Sequence, residues 1–211
     1  MTRRPGSATR EHVLQVAHDL FYWRGIRATG VDSVAAEAGV APTTLYRLFG
    51  SKDGLVDAYV DHVEQGYRKW FTGATEPGAL PPRQQILDLF DRILASLQPE
   101  TCRGCAFLMT LGEFPDKELP AHRRAVAAKA WSRERLRGLV RHLAEVETVE
   151  DPDALADQLT LIIEGMNASA QALGVDGPAR RARAMAEVLL DAATAGGPAR
   201  RPVQAAPSDA R

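Results

Sequence analysis

The sequence predicts an all-α fold, in which an N-terminal three-helix unit is joined to a larger helical domain. Apolar residues recur at helical spacing in successive stretches, and no segment shows the strict alternation of a half-buried strand. The 13 prolines fall largely between those stretches. With 211 residues and 45% apolar content, the chain has the composition of an ordinary globular protein.

Composition and charge narrow the class of protein. No apolar run approaches the roughly 18 residues that a membrane span requires, and the N-terminus lacks the apolar core of a secretion signal. We therefore expect a cytoplasmic protein with no membrane partner. The net charge is −1, but residues 1–52 contain seven Lys and Arg against four Asp and Glu. A basic N-terminal segment followed by an acidic remainder is typical of a DNA-binding module attached to a second domain.

A first amphipathic helix is predicted over about residues 8–24. Its apolar stripe consists of Val13, Ala17, Leu20 and Phe21. The polar arm before it carries Arg3 and Arg4, which either reach the minor groove or phosphates of DNA or belong to a disordered terminus.

Residues 29–55 have the layout of a helix-turn-helix. Thr29 and Asp32 match a capping signature, which predicts that Thr29 caps the second helix. Gly39 then permits a left-handed turn without a Cβ penalty. Pro42 suits the first position of a third helix, where a missing N–H costs nothing.

The third helix is predicted to face the core through Leu45 and Phe49 and to present a polar side to a DNA groove. That polar side consists of Thr43, Thr44, Tyr46 and Arg47. Arg47 would pair with guanine in the major groove or hold a phosphate. Tyr46 would either contact DNA or pack against Leu55. The N-terminus of the second helix, at Thr29, is a further candidate for phosphate binding.

An ordered pattern of residues runs through the first 55 positions: Leu20-Phe21, Gly25, Thr29, Val31, Val34-Ala35, Ala38-Gly39-Val40, Thr44-Leu45-Tyr46, Phe49, Ser51-Lys52 and Leu55. This pattern resembles the N-terminal domain of the TetR family of transcriptional regulators. Leu48 departs from the family pattern, in which a histidine is common. The resemblance implies that Tyr46 and Lys52 contact DNA phosphates, and the alternative for Lys52 is a solvated surface lysine.

Further helices are predicted at about 52–70, 82–97, 120–147, 152–174 and 177–195, and residues 105–114 form a short apolar segment that ends at Pro115. A Gly- and Pro-rich loop precedes the second of these stretches. We therefore place a helix-turn-helix DNA-binding domain at 1–51 and a helical domain at 52–195, which the resemblance implies binds an effector and dimerises. Residues 196–211 are predicted to be a disordered tail.

The last two predicted helices are rich in apolar and small residues. Their apolar residues are Leu155, Leu159, Ile162, Ile163, Met166, Ala170 and Leu173, then Ala182, Met185, Val188, Leu189 and Ala192. These helices would either close the core of a monomer or, as the resemblance implies, form a four-helix bundle with a second subunit. A two-fold homodimer would place two recognition helices about 34 Å apart, as a palindromic operator requires.

Cys102 and Cys105 form a C-x-x-C pair with Arg103 between them. Zinc would need ligands that the scattered histidines do not supply, so no metal is expected. A thiol redox sensor is the alternative function, if Arg103 lowers the pKa of an exposed thiol. The other interpretation is that the two cysteines are small apolar residues in the regulatory domain that the resemblance implies.

The sequence has no Gly-rich phosphate loop and no nucleophile or metalloprotease motif, so we expect neither an enzyme nor a cofactor. The alternative function from another class of protein is an all-α enzyme or carrier that retains a vestigial DNA-binding domain. Glu113 and Asp116 are interpreted as a solvated helix end. The basic residues of 120–147 are interpreted as a solvated face, with a second nucleic-acid surface as the alternative.

The resemblance implies a pocket for a small-molecule effector among the helices of residues 82–175. The expected lining residues, which are equally ordinary core residues, are Phe90, Cys105, Phe107, Met109, Trp131 and Met166. The function we expect is a ligand-responsive transcriptional repressor that a small molecule releases from a palindromic operator in double-stranded DNA.

Overall fold

The structure is a computed structural model that describes residues 5–76, 78, 80–100 and 102–194. All regular secondary structure in these ranges is helical, with nine α-helices and one short 3₁₀ helix, which confirms the all-α prediction. No helix in the same ranges is both long and apolar enough to cross a bilayer. The predicted arm with Arg3 and Arg4 and the predicted tail at 196–211 lie outside the described residues.

The first three helices pack around one apolar core. They are α1 (Pro5–Arg24), α2 (Val31–Glu37) and α3 (Pro42–Phe49). The predicted apolar stripe of α1 is confirmed, because Val13, Ala17, Leu20 and Phe21 are all buried. The helix begins at Pro5, before the predicted start near residue 8, since proline is favourable in a first turn.

The fourth helix, α4 (Lys52–Thr75), connects this core to the rest of the protein. Its first half packs in the N-terminal core through Leu55, Val56, Tyr59 and Val60, whereas Phe71 and Ala74 lie in a second core. Burial of Phe71 and Ala74 extends the helix beyond its predicted end near residue 70. The domain boundary predicted between residues 51 and 52 therefore falls at the start of a helix that both cores share.

The remaining helices are α5 (Pro82–Ser96), α6 (Ala106–Glu113), α7 (Pro120–Ala144), α8 (Pro152–Leu173) and α9 (Ala182–Thr194). Prolines occupy the first turns of α5, α7 and α8, where their missing N–H groups would have no intrahelical partner. The predicted helix at 177–195 is divided, because a 3₁₀ helix (Pro178–Arg181) precedes α9.

The second core lies between the C-terminal part of α4 and helices α5, α7, α8 and α9. Most of the large apolar residues predicted along α8 are buried in it, including Leu155, Leu159, Ile163 and Met166. These residues therefore fill the core of a single protomer. A different stripe of α8 and α9 stays exposed on the surface.

Candidate nucleic-acid interface and adjoining cavity

The turn between α2 and α3 has the geometry that the sequence predicts. Gly39 has a φ of 65°, in the left-handed region that glycine adopts without strain. Pro42 is the first residue of α3. Both predictions are confirmed, so a short turn ends α2 and starts the recognition helix.

The two faces of α3 divide as expected between the core and solvent. Leu45 is only 2% exposed, whereas Tyr46 is 51% exposed. Thr43 and Arg47 are exposed as well, and Thr44 is half-buried. The exposure of the Tyr46 ring favours the DNA-facing interpretation over packing against the core.

The partly buried residues of α3 fix the helix to its neighbours. Leu48, at the position where the family commonly has a histidine, packs against the N-terminal core, as does Phe49. The guanidinium of Arg10 lies 4.9 Å from the centroid of the Phe49 ring, which is a cation–π distance. The polar face of α3 is therefore presented by a helix held on its other side.

Thr29 does not cap α2, contrary to the prediction. Its side chain is buried, and its hydroxyl donates a 2.8 Å hydrogen bond to the carbonyl of Gly25. Gly30 occupies the N-cap position, and no side chain caps the helix. A threonine hydroxyl competes for any nearby backbone group, and here the carbonyl at the end of α1 is the partner. DNA binding by Thr29 stays a prediction, which the buried hydroxyl disfavours.

Lys52 lies in the first turn of α4, next to the N-cap residue Ser51. Its ammonium donates a 3.3 Å hydrogen bond to the carbonyl of Arg27, in the loop between α1 and α2. Lys52 is thus not a freely solvated lysine. An ammonium has three donors, so this bond leaves capacity for a phosphate.

A cavity of about 410 Å³ lies beside the predicted DNA-binding unit of residues 1–51, bounded by α1, α4, α5, α8, the first residues of α6 and the segment before them. Its volume lies in the range typical of small-molecule sites. The residues that line it are His18, Tyr22, His62, Val63, Gly66, Tyr67, Trp70, Ile93, Ser96, Leu97, Cys102, Gly104, Cys105, Ala106, Phe107, Ile163 and Asn167.

The structure brings together two of the six predicted ligand-binding residues. Cys105 and Phe107 line the cavity, whereas Phe90, Met109, Trp131 and Met166 are not among its lining residues. Phe90 and Met166 are buried in the second core. The Trp131 ring packs edge-on against other aromatic rings and lies 4.7 Å from the guanidinium carbon of Arg68.

Sequence reasoning missed the wall of the cavity that α1 and α4 form. His18 and Tyr22 are four residues apart on α1, and His62, Gly66 and Trp70 recur every four residues on α4. This spacing is present in the sequence as a second stripe on each helix. It was missed because each helix was assigned a single stripe, the apolar one that packs in the core.

Tyr22 fixes the Cys102–Cys105 turn to α1. The Tyr22 hydroxyl accepts from the amide of Arg103 at 2.7 Å and donates to the carbonyl of Gly104 at 2.9 Å. Burial is the main cause that raises the pKa of Tyr22 to about 12, so the hydroxyl stays protonated at neutral pH. Both cysteines are free and half-buried, and both face the cavity.

The interpretation of Glu113 as a solvated residue is wrong. Its carboxylate accepts hydrogen bonds from the backbone amides of Ile26 at 3.0 Å and Arg27 at 2.6 Å. Asp116 is exposed, and its carboxylate accepts from the amide of Glu118. The last residue of α6 is therefore bonded to the loop that precedes α2.

The basic residues of α7 take part in ion pairs with neighbouring helices. Arg124 pairs with Asp57 at 2.6 Å and Asp61 at 2.8 Å, both on α4. Hydrogen bonding to Asp57 is the largest cause that raises the pKa of Arg124. Arg133 pairs with Asp157 of α8 at 2.7 Å. These pairs join α7 to α4 and α8, which argues against a second nucleic-acid surface there.

An exposed polar helix after a tight turn, joined by a shared helix to a domain with a cavity, defines the class of helix-turn-helix transcriptional regulators. Residues 13–59 match the family described as "Bacterial regulatory proteins, tetR family". Residues 82–186 match the family described as "Tetracyclin repressor-like, C-terminal domain". The chain belongs to the TetR family of transcriptional regulators.

Solved structures show the same fold over nearly the whole chain. The TetR-family transcriptional regulator SCO4454 from Streptomyces coelicolor is 28% identical, with a TM-score of 0.81 over 89% of this chain and 97% of that one. A TetR regulator from Streptomyces avermitilis is 32% identical, with a TM-score of 0.73 over 88% and 97%. The reduced form of NemR from E. coli shares the fold at 22% identity, with a TM-score of 0.77 over 86% and 96%.

Curated relatives are similar over a shorter stretch. The HTH-type transcriptional repressor Rv3405c from Mycobacterium tuberculosis is 38% identical over 73 residues, which are 30% of this chain and 39% of that protein. The match thus spans about two fifths of the length of this relative. None of these comparisons supports the alternative of a thiol redox sensor at Cys102 and Cys105.

Proposed function

We propose that this protein is a homodimeric transcriptional repressor that binds a palindromic DNA operator and is released from it by a small-molecule effector. The observation that carries the proposal is the exposed polar face of α3, with Thr43, Tyr46 and Arg47, on a helix anchored by buried Leu45. The sequence of α3 contains no acidic residue, so no side chain on this helix repels a phosphate.

In this function, Arg47 would contact a base, whereas Tyr46 would contact the DNA backbone. Arg47 has the planar fork that pairs with guanine in the major groove, and Tyr46 and Lys52 would contact phosphates. Thr43 and Thr44 lie in the first turn of α3, the part of a recognition helix that approaches base edges. The DNA-binding unit would comprise residues 1–51, and the effector-binding and dimerisation unit residues 52–195.

The dimer would form through the surface of α8 and α9 that the protomer leaves exposed. Leu161 is 71% exposed, Leu173 67%, Met185 56% and Val188 67%. On α8 the exposed stripe continues through small residues at Gly165, Ala168 and Ala172, which allow a second helix to approach closely. Four large apolar side chains exposed on two packed helices favour an interface over a monomer surface.

The effector would act through the contacts between the cavity and the DNA-binding unit. Tyr22 and His18 of α1 lie in the cavity wall, as do His62 and Trp70 of α4. A ligand that fits the cavity better in one arrangement of these helices shifts the dimer toward that arrangement. The shift cannot exceed the difference in affinity between the two states.

The proposal is tested by selecting bound DNA from a random duplex pool and then measuring affinity by fluorescence anisotropy at physiological salt. We expect a palindrome and a specific affinity at least about 10³-fold above non-specific binding. Arg47→Ala should cost about 1–3 kcal/mol and relax the preference at one base position if Arg47 reads guanine.

Arg92→Ala is the matched control, because Arg92 is an exposed arginine of α5, which belongs neither to the DNA-binding unit nor to the proposed α8–α9 interface. It should leave operator affinity unchanged. Weak binding without sequence preference would reject the regulator function and favour an all-α enzyme or carrier with a vestigial reader.

A further inference from the structure

We propose that the cavity beside the DNA-binding unit binds an uncharged aromatic molecule that carries a hydroxyl group. This inference rests on the proposed effector role of the cavity and specifies the chemistry of its ligand. Three features of the described residues carry it: aromatic walls, the absence of permanently charged side chains from the lining, and a histidine acceptor on the α1 side.

Aromatic rings form much of the cavity wall. The rings of Tyr67 and Phe107 meet edge to face, with centroids 5.3 Å apart, and Trp70 lies one turn further along α4. Such rings bind a flat ring by offset stacking and edge-to-face contacts, which an aliphatic chain cannot reproduce. The volume of about 410 Å³ accommodates a molecule with two fused rings.

The lining offers no partner for a ligand with a fixed charge. Among the described residues, no Lys, Arg, Asp or Glu side chain lines the cavity. An ion that entered would lose its hydration without gaining a counter-charge, which is costly in an apolar site.

The lining also contains two histidines, which carry a charge when they are protonated. His18 and His62 face each other with ring centroids 5.9 Å apart, so a charge on the His18 ring disfavours protonation of His62. Asp19 beside His18 and Asp61 beside His62 are the neighbouring carboxylates. Desolvation and then His18 lower the pKa of His62, which keeps that ring neutral at neutral pH.

His18 provides a hydrogen-bond acceptor on the α1 side. Its Nδ1 lies 3.1 Å from a carboxylate oxygen of Asp19, and a carboxylate only accepts. In the tautomer that this contact favours, Nδ1 carries the proton and Nε2 is an acceptor. The hydroxyl of Tyr22 already bonds to the Cys102–Cys105 turn, so on the α1 side of the cavity the imidazole is the group suited to receive a ligand hydroxyl.

The test is a calorimetric titration of the purified protein at neutral pH with four probes that share one ring system. These are 2-naphthol, 2-naphthoate, 2-naphthylmethylammonium and 2-methoxynaphthalene. We expect 2-naphthol to bind at least about tenfold more tightly than each of the others. If either charged probe binds as tightly as 2-naphthol or more tightly, the inference that the ligand is uncharged is wrong. If the methoxy compound binds equally well, the ligand needs no hydroxyl group. If 2-naphthol does not bind, both parts of the inference are wrong.

A matched pair of variants locates the binding site. Gly66 and Gly73 both lie in α4, and a Cβ added at either position would meet no atom within 4 Å, but only Gly66 lines the cavity. Leucine at either position improves helix propensity, and circular dichroism checks the fold. Gly66→Leu should weaken 2-naphthol binding more than tenfold and Gly73→Leu should not. An equal response of the two variants overturns the assignment to this cavity.

The selection of DNA without ligand separates the two proposals. If no operator is recovered, the regulator function fails, and the ranking of the four probes still decides the chemistry of the cavity. If an operator is recovered and the ranking is reversed, only the ligand class fails.

Discussion

Glu113 and Arg27 are joined by two hydrogen bonds, and Arg27 is the donor in both. The amide of Arg27 donates to the carboxylate of Glu113 at 2.6 Å, and the guanidinium Nε of Arg27 donates to the carbonyl of Glu113, also at 2.6 Å. The carbonyl of Arg27 in turn accepts from the ammonium of Lys52. The end of α6 is thus connected through one loop residue to the first turn of α4, where DNA contact is proposed.

Replacing Glu113 by alanine should destabilise the protein by about 1–3 kcal/mol, because two backbone amides lose a charged acceptor. The loss should fall in the lower part of that range, since Glu113 is half-buried and water can replace the carboxylate. Urea unfolding measures the change. Glu118→Ala is the control, because its side chain is 81% exposed and its ion pair with Arg123 lies on the surface. A surface pair contributes about 0–1 kcal/mol, so equal losses in the two variants would contradict the role given to Glu113.

Gly54→Ala should destabilise the junction between α3 and α4. A Cβ at Gly54 would overlap the carbonyl oxygen of Phe49, which is backbone and cannot rotate away. Overpacking of this kind costs about 1–3 kcal/mol and would displace the end of the recognition helix. Thermal unfolding and operator affinity should both decrease.

Gly66→Ala in the same helix is the control for this prediction, because its Cβ would meet no atom within 4 Å. It should be neutral or stabilising by up to about 1 kcal/mol, as expected for glycine replaced in a helix. Unchanged stability of Gly54→Ala would show that the two helices can separate without cost.

Val188→Glu should convert the proposed dimer to a monomer. A charge in the middle of an apolar interface is buried without a partner, and the symmetry of a two-fold dimer introduces the change twice. Light scattering coupled to size exclusion measures the molar mass. Val146→Glu is a close control, since Val146 is 65% exposed against 67% for Val188 but lies in the turn after α7. Loss of the dimer in both variants, or in neither, would exclude α9 as the interface.

Stability should decrease in mild acid because of His62. Desolvation and the neighbouring His18 lower its pKa in the folded state below the ordinary value of 6.5. The unfolded chain therefore binds the proton more readily, so the free energy of unfolding is highest above pH 6.5 and falls as the pH drops through the folded-state value.

Denaturant unfolding at several pH values measures this profile. His62→Gln should flatten the decrease below pH 6.5, whereas His142→Gln, at a half-exposed surface histidine, should leave it in place. A profile that is equally steep without His62 would assign the acid sensitivity to other groups.

The helices and the recognition turn were predictable because they depend on local sequence. Gly39 and Pro42 act within one turn of the chain, and the apolar stripe of α1 follows from helical periodicity alone. Side-chain partners were less predictable even at short range. Thr29 matched a capping signature, yet its hydroxyl bonds to Gly25, because the fold of the loop after α1 brings that carbonyl within reach.

The sequence by itself therefore determined the fold class, the order and approximate limits of most helices, and a recognition helix with an exposed polar face. Only the tertiary structure decided which residues share the cavity, since α1, α4 and α8 contribute His18, His62 and Asn167 from distant parts of the chain. It likewise decided that Phe90 and Met166 belong to the core and that Glu113 bonds to the DNA-binding unit. The physical reason is that periodicity shows which side of a helix is apolar, whereas the neighbour that this side meets depends on how all the helices pack.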